Sequence, residues 1–90
     1  MNNIELWALV QSNKSQKEIL LLLKQTEALH QSEIARKIKK SQPTVHYHLE
    51  ILIKYNLLQM REVGKFRIYF LTELGKEFAN RLTESLRWDS

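Results

Sequence analysis

Ninety residues, 43% of them hydrophobic, are enough for one domain with a single core and too apolar for a disordered chain. The absence of cysteine excludes disulfide stapling, thiol catalysis and cysteine-ligated metal, and is compatible with a reducing cytoplasm. The net charge of +4 is segregated: residues 36–67 hold eight basic residues against two acids, a net +6 that leaves the flanks together at −2. A basic middle third is the electrostatic footprint of a polyanion partner, although a solvated basic face gives the same count.

Two glycines and one proline leave little room for loops, so short connections between helices are expected. The start, Met1-Asn2-Asn3-Ile4-Glu5, has no basic leader, and the longest apolar run, Ile19 to Leu23, is too short to span a bilayer. No membrane partner is therefore expected.

Ile4 to Val10 predicts a short helix carrying Trp7, followed by the polar break Gln11-Ser12-Asn13-Lys14. Ser15 with Glu18 reads as a capping box opening a helix from Gln16 to about Gln25, and Ile19–Leu23 makes that helix apolar nearly all round, hence central. Thr26 to Leu29 connects, with Leu29-His30 as a short extended segment. A helix to Ile38 follows, capped by His30 or Ser32, of which Ser32 has the better chemistry.

Lys39-Lys40 makes the turn, and Ser41 caps a helix that tolerates Pro43 in its first turn. At 100° per residue, Val45, His48, Leu49, Leu52 and Tyr55 share one arc of Ser41–Tyr55. Gln42, Pro43, His46, Tyr47, Glu50 and Lys54 share the other. Two short helices joined by a tight turn, the second with a polar outer face, define a helix-turn-helix. Asn56 tolerates a left-handed helix end. Leu57–Glu62 and Phe66–Leu71 then alternate as strands around a tip, Val63-Gly64-Lys65. Thr72 caps a last helix in which Leu74, Phe78, Leu82 and Leu86 recur every fourth residue. The expected architecture is mainly α with one small β-hairpin. It is a single domain over 1–90, with an N-terminal arm (1–13), a core (15–71) and a C-terminal helix (72–88).

These residues resemble the winged helix-turn-helix transcription regulators of the ArsR/MarR type. Gln31 to Leu52 is similar to that superfamily's helix-turn-helix, with Ala35 at the small-residue position and His48-Leu49 followed by Leu52 in the second helix. Asn56-Leu57-Leu58 resembles the start of the wing, Lys65 to Thr72 the second wing strand, and Leu71 to Lys76 the start of the last helix. The resemblance covers about residues 15 to 85. It implies a recognition helix in a DNA major groove, a wing on the adjacent backbone or minor groove, and a dimer formed by the terminal helices. Two departures stand out: Lys39 occupies the turn position usually given to glycine, and the family's cysteine metal ligands are missing, so no metal or other cofactor is implied.

The expected function is a sequence-specific double-stranded-DNA-binding regulator, cytoplasmic and associated with the nucleoid. Gln42, Thr44, His46 and Tyr47 are the candidate base readers, with Pro43 beside them, and Gln matches adenine N6/N7. Lys39, Lys40, Arg61, Lys65 and Arg67 are the candidate phosphate holders. His46 and His48 diverge by about 200° on a helix and cannot share an ion; His48 reads as a packed histidine. Thr44 equally well only supports the first turn. Ile4, Trp7, Val10, Phe78, Leu82, Leu86 and Trp88 are expected to form a homodimer interface, with recognition helices about 34 Å apart; a monomer with these helices folded back is the alternative. Phe66, Ile68 and Phe70 point away from the core and are too apolar for bare solvent. Two rival readings are a non-specific architectural DNA binder and a winged-helix protein–protein module that uses those three residues. The chain has no phosphate-cradling glycine loop and no clustered acid/base set, so an enzyme is not expected, and no effector is named.

Overall fold

The computed structural model describes residues 2–89, with side chains described for residues 2–85. Helix α1 (Asn3–Gln11) starts at Asn2, whose side chain accepts from Glu5 N at 2.8 Å. Helix α2 (Lys14–Thr26) begins two residues before the expected start. Its cap is Asn13, accepting from Gln16 N at 2.9 Å, so the Ser15–Glu18 box is corrected. Both residues have capping chemistry, and with the start that forms Gln16 is buried within reach of His48. The central role expected for α2 holds: Ile19, Leu20 and Leu23 are buried, and Leu21 and Leu22 pack against the core. Each such fully buried aliphatic side chain contributes about 1.5–3 kcal/mol relative to exposure.

Strand β1 (Ala28–His30) leads into α3 (Gln31–Ile38). His30, not Ser32, is the cap of α3, and its backbone N donates to Glu33 Oε1 at 3.4 Å. Ser32 instead lies 2.8 Å from His30 Nδ1 through its hydroxyl. Lys39 ends α3 in the left-handed region (φ 60°, ψ 46°), where glycine would sit without strain; for lysine this costs on the order of 1 kcal/mol. Helix α4 (Gln42–Lys54) has Ser41 as its cap and Pro43 in its first turn, and buries Val45, Leu49 and Leu52.

Strands β2 (Leu58–Val63) and β3 (Phe66–Leu71) form the hairpin, turning at Gly64 (φ 61°) and Lys65. The sheet is antiparallel in the order β1-β3-β2, so the short extended segment becomes a third strand. Helix α5 (Glu73–Asp89) closes the chain. Tyr69 and Leu71 face the core as expected.

Both roots of the hairpin meet at one point. Thr72 Oγ1 donates to Asn56 O at 2.7 Å and accepts from Gly75 N at 2.9 Å, while Thr72 N donates to Leu57 O at 3.1 Å. Asn56 takes φ 62°, the left-handed end expected for α4.

The terminal helices fold back. Val10, Phe78 and Leu82 are buried in the chain's own core, and Trp7 is half-buried, edge-on to Phe78 at 5.3 Å with the Arg81 guanidinium 4.1 Å from its ring centre. Within the single chain Val10, Phe78 and Leu82 thus complete the core beside α2, and Trp7 packs on it while keeping part of its surface exposed. Ile4 remains 81% exposed. Leu86 and Trp88, named for the same face, lie outside the described side chains. Among the described residues no helix is long and apolar enough to cross a membrane.

Candidate nucleic-acid interface

The helix-turn-helix presents its second helix by burying the opposite arc. Val45, Leu49 and Leu52 are fully buried, which turns Gln42, Pro43, Thr44 and Tyr47 outward; Tyr47 is 63% exposed. Thr44 is tied to the cap: Ser41 Oγ donates to Thr44 Oγ1 at 2.9 Å and accepts from Thr44 N at 3.3 Å. Its hydroxyl supports the first turn, and the free donor–acceptor side chain beside it is Gln42.

His48 and His46 differ as their arcs predict. His48 is half-buried, and Gln16 Nε2 donates to its Nδ1 at 3.3 Å, which requires that nitrogen to be unprotonated. Burial first, and then the positive charge of Lys40, holds its pKa below the ordinary value of 6.5. His46 lies 3.2 Å through Nδ1 from Gln31 Oε1, a bond from α4 back to α3, and 3.9 Å through Nε2 from Glu50. Gln31 was not picked out in the sequence. Its partner is fifteen positions away, and no local pattern announces such a pair.

A groove of about 320 Å³ joins the recognition helix to the wing. It is lined by Gln42 and His46 from α4, by His30, Gln31 and Ser32 at the start of α3, and by Lys65, Phe66 and Arg67 from the wing. No acid lines it. The structure thus brings together Gln42, His46, Lys65 and Arg67 from the candidate set, and adds His30, a candidate helix cap in the sequence. A second hollow, along the outer side of α4, is lined by Pro43, His46, Tyr47, Glu50 and Lys54, with Ile51 and Ile53. Lys39 and Lys40 are exposed in the turn just before the helix.

Arg61 stands apart from this groove. Register pairs it with Ile68, on the outward side of the sheet, where its guanidinium lies 5.7 Å from the Phe70 ring centre. Arg67, on the other side, is 4.0 Å from Glu62, an exposed pair worth little in water. Among the described residues no group of three or more His, Cys, Asp or Glu is placed to hold a metal ion.

Residues 12–59 match the family model for winged helix-turn-helix DNA-binding domains. An uncharacterised helix-turn-helix-type transcriptional regulator of Methanocaldococcus jannaschii is 33% identical over 55 residues, 61% of this chain and 62% of the relative. The chain therefore spans less than two thirds of that relative's length. The adhesin competence repressor of Streptococcus pyogenes is similar in structure with a TM-score of 0.79 at 28% identity, covering 98% of this chain and 68% of that one. A MarR family regulator from Neisseria meningitidis gives 0.77 at 28% identity, covering 86% and 56%.

Proposed function

Because the chain belongs to the winged helix-turn-helix DNA-binding family, we propose that the protein is a sequence-specific regulator of transcription acting on double-stranded DNA as a homodimer. The observation that carries this reading is the groove in which the start of the recognition helix meets Lys65 and Arg67 of the wing. Gln42 and His46 bring hydrogen-bonding groups that suit base edges in the major groove, and Tyr47 offers an exposed ring beside them. Lys65 and Arg67, with Lys39 and Lys40 from the turn, supply the cations for flanking phosphates. The regulators named above support the same reading.

The recognition helix carries Glu50 as well as Lys54 on its outer side, so its own charge is nearly balanced. Discrimination falls to the helix and affinity to the turn and wing. Selection of bound duplexes from a random pool, followed by titration of the winner against a scrambled duplex at several salt concentrations, tests this. Gln42→Ala is expected to cost about 1–3 kcal/mol on the selected site and little on the scrambled one. Lys65→Ala should weaken both and lower the salt slope by roughly one unit. Equal losses for Gln42→Ala on both duplexes would leave a non-specific binder instead.

A further inference from the structure

The outward face of the sheet is built for something other than water. In register, Val63 stands beside Phe66, Arg61 and His30 flank Ile68, and Gln59 and Ala28 flank Phe70. None of these positions carries an acid. Phe66 is 50% exposed, and Ile68 and Phe70 are half-buried. The His30 ring stacks on Phe66 with centroids 5.3 Å apart and planes 25° from parallel, and the Arg61 guanidinium sits by Phe70. Phe66 and Phe70 are four residues apart on one strand, about 13 Å at the rise of a β-strand. Phe70 also lines, with Leu23 and Leu71, a pocket of about 530 Å³ to which Lys24, Glu27, Lys76 and Asn80 contribute; Lys24 Nζ donates to Thr83 Oγ1 at 3.0 Å, and Lys76 Nζ lies 3.3 Å from Glu73 in an exposed pair.

Two phenyl rings and an imidazole with one guanidinium on an open sheet face, and two lysines lining the adjoining pocket, suit bases better than a protein partner. The core of a protein interface is depleted of charge, especially lysine. Bases stack on phenyl, imidazole and guanidinium planes while their backbone follows neighbouring cations. Only a single strand has base faces to offer. We propose that this face binds a single-stranded nucleic acid, with one base on the Phe66–His30 stack and another against Phe70 in the pocket. Arg61, Lys24 and Lys76 follow its backbone. The strip starts at Phe66, which also lines the duplex groove, and runs away from it; α4 packs its apolar arc into the core on the other side of the sheet. Duplex and single strand therefore meet largely separate surfaces.

The test titrates the intact 90-residue protein into fluorescein-labelled oligothymidylate and oligouridylate of about 15 nucleotides at low salt, reading anisotropy, with the selected duplex in parallel. Oligomer binding is expected, and whichever oligomer binds more tightly says whether DNA or RNA is the ligand. Phe70→Ala and Phe70→Leu should each weaken it about ten- to a hundredfold while leaving the duplex titration unchanged. Leucine keeps the pocket lining apolar, so a loss shared by both variants comes from stacking and not from unfolding. Failure of the wild type to bind either oligomer while it still binds duplex overturns the proposal, as does undiminished binding by both variants. If Phe70→Leu alters sedimentation and not oligonucleotide binding, the face joins protein copies and the proposal also falls. Loss of duplex binding alone would sink the function proposed above and leave this one standing.

Discussion

His48 sits where a charged imidazole is costly. Its Nδ1 accepts from the buried Gln16, and burial followed by Lys40 lowers its pKa. The folded state therefore binds fewer protons than the unfolded one below the ordinary value of 6.5. The stability that neutral His48 contributes is full above that pH and is lost as pH falls through the lowered folded pKa. Urea midpoints measured from about pH 7.5 down to about 5.5 should fall. In His48→Gln, which keeps an acceptor for Gln16 and cannot be charged, the fall should be shallower; an unchanged slope would assign the acid sensitivity to another group. Tyr69 shows the opposite economy. Its ring is fully buried, but its hydroxyl is the one described buried side-chain atom without a hydrogen-bond partner. Burial raises its pKa, against the opposing charge of Arg67, so the phenol stays neutral and the ring is what the core uses.

At the scale of elements, the join between the wing and α5 depends on Gly75. A Cβ there would run into the carbonyl oxygen of Leu57, the same oxygen that accepts from Thr72 N. Because the neighbour is backbone, it cannot swing aside, and Gly75→Ala should lower unfolding stability by about 1–3 kcal/mol. Gly64 gives the contrast: it has a positive φ, which helical Gly75 does not, but nothing within 4 Å of an added Cβ, so alanine there costs only the conformational strain, about 1 kcal/mol. Urea denaturation of the two variants separates close approach from strain, and equal losses would mean the Leu57 contact relaxes. The sequence made α4 legible because cap, first-turn proline and apolar period agree on one helix. The starts of α2 and α3 were less so, since Asn13 and Ser15, or His30 and Ser32, offer rival caps. At α2 a tertiary bond, Gln16 to His48, goes with the start the chain takes. The same limit applies to the site. Gln42, Lys65 and Arg67 follow from pattern and charge, whereas Gln31 against His46 and the separation of Arg61 need the packing of α3 on α4 and the strand register.

On the scale of the whole molecule, the inward turn of Trp7, Val10, Phe78 and Leu82 changes what a partner subunit meets. What α1 leaves outward is Ile4, 81% exposed, and Leu9, 46% exposed. If a second copy covers this surface, Ile4→Glu should convert a dimer into a monomer in sedimentation without lowering the unfolding midpoint, since Ile4 supports none of the core. A wild-type species of 10.8 kDa at micromolar concentration would remove the homodimer. The hydrogen bonds of Thr72 to Asn56 and Leu57 have a further consequence at this scale. They make the hairpin a ring tied off at its base, and the helices beyond the knot do not sense the ring's circumference. Each doubling of a flexible ring's length adds only about 0.6 kcal/mol of closure cost. Residues added at Gly64-Lys65 lengthen the tip, while the strands, paired from Leu58 and Leu71 upward, keep every side chain on its present side. The reach of the wing is thus a dimension that can drift in evolution without changing what the recognition helix presents.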